Sequence, residues 1–229
     1  MKKNYVITIA RGFGSGGKAL GMRLADELGI SCYENTILAL ASKMTGKETA
    51  ELIEIDEKLR KGSINALLRK LPRTTEPKAV QKKFESDEEI YRAQCDIIRN
   101  LAETESCIII GKCADFVLKN YDNVVSFYVE APRSYCLERI TKRMHVDEEE
   151  AAKLIEKTDK YRAKYYEYYT NGNYWTNPVN YDMTFNMARV GEDKCVQVIK
   201  DYLVSRFGKN VVYPEAPSES NLFTFSKNA

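Results

Sequence analysis

Gly12, Gly14, Gly16 and Gly17, with Ser15 among them and Lys18 and Ala19 next, stand in one short run near the start of the chain. Glycine at this density costs backbone entropy, a cost that fits a site where backbone must approach a ligand closely. A β-branched apolar stretch, Tyr5 to Ile9, precedes the run; Leu20, Leu24, Ala25 and Leu28 follow it at helical spacing as far as Gly29. Strand, glycine-rich turn and helix make a phosphate cradle, in which free N–H groups and the positive end of the helix dipole converge on one anion. Two alignments to the phosphate-loop pattern compete. One takes Gly12 to Lys18 as G-x-x-x-x-G-K, with Ala19 where Ser or Thr would hold Mg²⁺. The other centres on Gly14-Ser15-Gly16, with Gly17 in the lysine place and Lys18 in the hydroxyl place. In both, the hydroxyl ligand is missing or displaced, and Ser15 is the candidate metal oxygen. The alternative is a plain connection between strand and helix.

Other chemistries have little to work with. His145 is the single histidine, so a histidine base or triad would rest on it alone. Cys32, Cys95, Cys107, Cys113, Cys136 and Cys195 form no C-x-x-C pair, and buried free thiols are expected rather than zinc ligands or disulfides. What remains is chemistry by charge, with arginines and lysines gathered around an anion.

The elements that must position these residues follow from pattern. A chain of 229 residues with 44% hydrophobic and 30% charged content suits one α/β domain with a sizeable core. No apolar run approaches the roughly 20 residues of a membrane span, and a cytoplasmic protein is expected. A net charge of +2 gives no case for nucleic acid. Nothing in the sequence sets an oligomeric state.

Ile30–Tyr33 reads as a second strand, ending at Glu34 and Asn35, where ligands bind in open α/β sheets. A helix runs from Ile37 toward Gly46, and 48–71 is helical in pattern but broken by Gly62. Residues 58–83 are one-sidedly basic, either a flap over a polyanion, a partner contact or a solvated insertion. Asp87 to Glu105 reads as a helix with Ile90, Ala93, Ile97, Ile98, Leu101 and Ala102 on one face and Arg92 and Gln94 elsewhere. The buried strand Cys107–Ile110 runs into Gly111-Lys112-Cys113-Ala114-Asp115. Val124–Val129 is another strand, and after Pro132 comes a helix carrying Arg139 and Arg143. Asp147 to Glu150 opens a helix reaching Tyr169 that carries Asp159 and Arg162, followed by an aromatic stretch through Trp175. A strand over Tyr181–Met187 and a helix over Gly191–Phe207 complete the pattern; residues 208–229 read as an extended or disordered tail. Alternating strands and helices imply a parallel sheet covered on both faces, without fixing the strand order.

The run Ile7–Gly29, the strand ending in Gly111-Lys112-Cys113-Ala114-Asp115, the Arg139/Arg143 helix, Asp159-Lys160-x-Arg162 and Asn180-Tyr181-Asp182 together resemble the cytidylate kinase-like family. That family is a branch of the P-loop nucleoside monophosphate kinases, and the resemblance covers about residues 5–205. It implies a P-loop NTPase-type three-layer α/β/α fold with a five-stranded parallel sheet, an acceptor-binding helical region near 34–105 and a lid near 145–178. The single domain would span residues 1–207. It further implies transfer of the ATP γ-phosphoryl group to CMP or dCMP, with Mg²⁺. By matching positions, Gly14 to Lys18 would cradle the donor phosphates, with Gly12 and Ala19 at the edges of the loop. Lys112 stands where an acceptor-binding arginine is common, and Asp115 near the pyrimidine-side contacts. Arg139, Arg143 and Arg162 match the arginines that bridge donor and acceptor, with Asp159 beside them. Glu34, Arg92 and Gln94 join the acceptor side.

Each of these has a plainer reading. Arg139 and Arg143 could pair with Glu138 or with the acidic stretch after His145; Asp159 and Arg162 could be an ordinary i,i+3 surface pair. Glu34 could simply start a helix, and the tyrosines could be packing under the lid. Three other functions compete with a CMP-directed kinase: a kinase for a different small acceptor, such as UMP or a non-nucleotide, a non-catalytic nucleotide sensor on the same fold, and a nucleic-acid module built on 58–83.

Overall fold

In the computed structural model, which describes residues 4–46 and 87–213, five strands form one sheet. They are Val6–Arg11 (β1), Ser31–Tyr33 (β2), Cys107–Ile110 (β3), Val124–Glu130 (β4) and Met183–Asn186 (β5). Their order is β2-β3-β1-β4-β5 and every pairing is parallel, with Ile9 of β1 opposite Ile110 on one side and Phe127 on the other. A parallel strand covered on both faces has no polar side, which is why β1 and β3 read as unbroken apolar runs.

Gly17–Leu28 (α1), Asn35–Thr45 (α2), Glu88–Thr104 (α3), Ala114–Val117 (α4), Arg133–Met144 (α5) and Glu148–Tyr169 (α6) follow in chain order. A 3₁₀ turn at Pro178–Asn180, then Met187–Val190 (α7), Glu192–Phe207 (α8) and Lys209–Val212 (α9) complete the described elements. The pleat divides the core. Ile7, Ile9, Ile108, Ile110 and Phe127 pack with Leu20 and Leu24 of α1 and Ile199 and Leu203 of α8. Val6 and Ile109 face the other way, onto Ile37 of α2, Ile98 of α3 and Ala114. The result is three layers, α/β/α.

α6 is the helix that bears most on the phosphate loop. Asp147 caps it by accepting the Glu150 N–H at 2.8 Å, and the acidic first turn suits the helix dipole. Its first turns bury Ala151, Leu154 and Ile155 in the main core; its last turns bury Tyr166 and Tyr169 among Tyr91, Phe116 and Trp175. The helix therefore spans the carboxyl edge of the sheet.

The six cysteines are free, and all but the half-buried Cys32 are buried, as expected. Among the described residues no helix is long and apolar enough to cross a membrane. The ordered chain continues past Phe207, where a tail was expected: α9 follows Gly208, and Val212 is buried in the main core. The expected helix at 48–71, the basic segment 58–83 and the remainder of the tail from 214 lie outside the described residues.

Candidate functional site

Four strands deliver their last residues to one edge: Arg11 from β1, Glu34 just after β2, Gly111 just after β3 and Glu130 from β4. Between β1 and α1 the chain wraps through Gly12–Gly16. Gly14 and Gly16 have φ of 89° and 99°, a region that side chains other than glycine rarely enter. Gly16 is the N-cap of α1 and no side chain caps it, which leaves first-turn N–H groups and the positive helix end facing outward. This cradle fits a phosphate donor.

Ser15 is fully buried; its hydroxyl donates to the Gly12 carbonyl at 2.9 Å and accepts the Gly17 N–H at 3.4 Å. It braces the loop from inside. Gly12 is glycine for a separate reason: a Cβ there would lie 2.3 Å from Glu130 Oε1. That carboxylate is itself held by the Tyr128 hydroxyl at 2.6 Å and the Ala131 N–H at 2.9 Å.

Cations surround the loop. Arg139 lies over the Tyr135 ring, with Nη2 3.6 Å from where a Gly16 Cβ would be. Arg143 and Arg162 both lie over the Phe13 ring, their guanidinium carbons 5.8 and 5.5 Å from its centroid. Neither Arg139 nor Arg143 has an ion-pair partner among the described residues. Glu138 does not supply one, because it pairs with Lys142 at 2.5 Å. Burial and the like charge of Arg139 push the Arg143 pKa down, and Glu34 opposes this only in part. Two guanidinium groups are held near one another at the loop.

Asp159 and Arg162 are more than a surface pair. Asp159 Oδ1 accepts the Phe13 N–H at 2.9 Å, and Arg162 Nη1 donates to the Arg11 carbonyl at 3.1 Å while lying 3.6 Å from Asp159 Oδ1. Burial raises the Asp159 pKa, with Arg162 and the Phe13 N–H acting against it. Glu34 is likewise more than a helix start. Its Oε1 takes Arg11 Nη2 at 3.0 Å, and Lys18 Nζ bridges to its Oε2. Burial pushes the Glu34 pKa up, but Arg11 and Lys18 outweigh it and hold the carboxyl below its ordinary value.

On the β3 side, Gly111, Lys112 and Cys113 take positive φ in succession, 75°, 58° and 54°. Beyond them the buried Asp115 accepts the Tyr166 hydroxyl at 2.6 Å. Burial pushes its carboxyl up to about 6, although Tyr166 and backbone N–H groups pull the other way. Tyr91 stacks on Tyr169 at 3.8 Å in the adjoining cluster, which is packing. Gln94 is buried on α3 and its Oε1 lacks a hydrogen-bond partner among the described residues. Arg92 is not brought to this edge cluster: it is three-quarters exposed and pairs with Glu88 at 3.2 Å, one turn back on α3.

Lys18, Arg139, Arg143, Arg162, Asp159 and Glu34 thus meet at the loop. Sequence reasoning missed Arg11, Phe13, Glu130 and Tyr166. Arg11 carried a signal, as a charged residue closing a buried strand next to the glycines. The residues do not fit Mg²⁺ as they fit phosphate. Among the described residues no group of three or more His, Cys, Asp or Glu converges, the Ser15 hydroxyl turns inward, and Ala19 offers no oxygen.

Residues 6–189 match the cytidylate kinase-like family. The chain belongs to that family. An uncharacterised protein from Eubacterium ventriosum has a solved structure that is 25% identical, covering 89% of this chain and 100% of that one, with a TM-score of 0.65. Shikimate kinase from Bacteroides thetaiotaomicron is 14% identical over 87% of this chain and 98% of that one, with a TM-score of 0.45. The YorR protein of Bacillus subtilis, solved with phosphorylated GDP, is 14% identical over 87% and 95%, with a TM-score of 0.44. The last two scores are too low to compare sites. No curated protein matches the chain. Membership in the cytidylate kinase-like family and the phosphate cradle together make this a P-loop, kinase-type, nucleotide-binding fold, consistent with phosphoryl transfer.

Proposed function

We propose that this protein is a nucleoside monophosphate kinase, moving the γ-phosphoryl group of ATP to CMP, dCMP or a similar acceptor. The observation that carries the reading is the pair Arg139 and Arg143, held beside the open end of α1 with no ion-pair partner among the described residues. Phosphoryl transfer asks a protein chiefly for alignment and for cations around the moving charge. Guanidinium groups suit this because each can hold two phosphate oxygens.

In this reading the N–H groups between Gly14 and Ala19 that are not spent inside the loop hold the donor phosphates, and Lys18 turns from Glu34 to the same anion. Arg139 and Arg143 bracket the transferring group. Asp159 and Arg162 act as positioning residues, fixing the backbone on either side of Gly12. Lys112, Asp115 and Gln94 lie toward the acceptor, with Lys112 supplying a point charge rather than a bidentate fork. No side-chain base is needed, since an acceptor phosphate oxygen is already nucleophilic. Mg²⁺ belongs to this proposal as the donor's companion, bound by its phosphates and water rather than by a protein inner shell. The region about 145–178 closes over the donor and excludes water.

A second reading, a nucleotide sensor without turnover, is favoured by one feature: the Ser15 hydroxyl is spent inside the loop. ADP release from ATP·Mg²⁺ with CMP, dCMP, UMP, AMP and GMP, alongside an ATP titration, separates the two. Turnover with a pyrimidine monophosphate supports the kinase. Tight ATP binding without ADP release from any acceptor supports the sensor.

A further inference from the structure

The side chain of Arg11 is as carefully housed as the phosphate loop beside it. Leaving the end of β1, it crosses the carboxyl end of β3 and reaches Glu34 at the end of β2, with only 15% of its surface exposed. Two glycines make that path. A Cβ on Gly111 would sit 2.2 Å from Arg11 Nη1, and a Cβ on Gly17 would sit 2.6 Å from Arg11 Cβ. Gly111 also has a φ of 75°, so both its conformation and its missing side chain suit this crossing. The backbone of Arg11 is fixed as well, since its carbonyl accepts from Arg162.

What the guanidinium holds is informative. Glu34 is one carboxylate serving two cations, Arg11 and Lys18, with Arg143 near enough to act on it electrostatically. Arg139 adds further positive charge, and Glu34 is the only carboxylate among the described residues that pairs with Arg11 or Lys18. A small dianion would complete this set. The cradle at the start of α1 has its own N–H groups for the donor, so the place left for a second anion is the far side of Lys18, over the ends of β3 and β2.

We propose that Arg11 is an acceptor-anion ligand: its guanidinium binds a tetrahedral dianion, a phosphomonoester group on the acceptor, with Glu34 holding it in position. This rests on the kinase reading and specifies the acceptor's class, since a neutral acceptor would bring no second anion to the Arg11, Lys18 and Arg143 cations that Glu34 alone now serves. Binding is a charge-assisted, two-toothed contact and involves no covalent step.

The test fills the donor site first. Wild type saturated with a non-hydrolysable ATP analogue is titrated calorimetrically with CMP, cytidine and inorganic phosphate, and the same is done for Arg11→Met, Glu34→Gln and the double variant. ATP-analogue affinity and thermal unfolding are recorded for each. The double variant guards against misfolding, because Arg11→Met alone leaves the half-buried Glu34 carboxylate with Lys18 as its one remaining ion-pair partner among the described residues, and the added Glu34→Gln removes that charge. In Arg11→Met and in the double variant, CMP and phosphate should weaken by about tenfold or more, with ATP-analogue affinity little changed. Glu34→Gln should keep or improve CMP binding, because Arg11 remains and a repelling carboxylate is gone. Cytidine should be indifferent to Arg11.

The inference fails if Glu34→Gln loses as much CMP affinity as Arg11→Met, which would make Arg11 only a strut for Glu34. It also fails if the double variant binds CMP as wild type does, or if wild type binds neither CMP nor phosphate. Failure of the kinase reading looks different: an Arg11-dependent phosphate site with CMP no better than phosphate would keep this assignment and remove the nucleotide acceptor. Absence of ATP-analogue binding would remove the donor, while the phosphate titration alone still decides Arg11.

Discussion

The backbone N–H of Phe13 donates to Asp159 Oδ1 across 2.9 Å, although 146 positions separate the two residues. Near by, Arg162 donates to the carbonyl of Arg11 at 3.1 Å. One stretch of α6 therefore satisfies a donor and an acceptor of the phosphate-loop backbone, on either side of Gly12. An acceptor lost from such a contact leaves the N–H short of a partner, at a cost of about 1–3 kcal/mol. Asp159→Ala should raise the ATP dissociation constant about tenfold, equivalent to ~1.4 kcal/mol. Asp159→Asn keeps an oxygen for Phe13 and should recover most of that loss. Calorimetric titration of both variants checks this; equal losses would show that the charge matters and the N–H contact does not.

Arg139 and Arg143 repel one another, and burial adds to the cost of the charge on Arg143. A methionine at 143 keeps an apolar stem against Phe13 and removes the repulsion. Arg143→Met should therefore unfold at the same temperature as wild type or slightly above it, while turnover falls by at least about a hundredfold. Thermal unfolding and ADP release on one preparation give both numbers. A variant that loses stability and rate together would make Arg143 a packing residue.

The long elements were legible because their patterns are local. β3 is an apolar run between Ser106 and Gly111, and α3 opens on acids and repeats its apolar face. The strand order was not legible, since β1 pairs with β3 and β4 through contacts distant in sequence. Four-residue helices such as α4 and α7 are too short to show a period. At the site, Lys18, Glu34, Arg139, Arg143, Asp159 and Arg162 gather at the loop. What type could not show was pairing. Arg92 has the right chemistry and spends it on Glu88, while Arg11, two residues beyond the apolar run Tyr5–Ile9, reaches Glu34 across the intervening strand β3.

Gly12 and Glu130 should be coupled in a mutant cycle. A Cβ at 12 would drive into a carboxylate that Tyr128 and Ala131 prevent from moving aside. Gly12→Ala alone should be destabilised by about 1–3 kcal/mol, the range for overpacking. In a Glu130→Ala background the same change should cost much less, giving an interaction term of about 1 kcal/mol or more. Urea unfolding of the four proteins measures it, and strict additivity would mean that Gly12 is required for its backbone or its ligand instead.

Asp115 sets a pH dependence whose sign is unusual for a carboxylate. Burial holds its folded pKa at about 6, whereas an unfolded Asp titrates near ~3.9. Between those values the native state keeps the proton that the unfolded state has released. Stability contributed by this group is therefore full below about pH 4 and falls as pH rises toward ~6, by roughly 3 kcal/mol at most. The groups that act on Asp115 do not blur the window: Tyr166, Tyr181 and Cys113 are all pushed upward by burial and stay neutral throughout it. Asp115→Asn retains an oxygen for the Tyr166 hydroxyl and has nothing to ionise. Its stability relative to wild type should rise between pH 4.5 and 6.5 and level off above, as read from urea unfolding of both proteins at each pH. A difference that does not change with pH would mean that Asp115 stays ionised through this range, its Tyr166 contact and backbone N–H groups outweighing the burial that surrounds it.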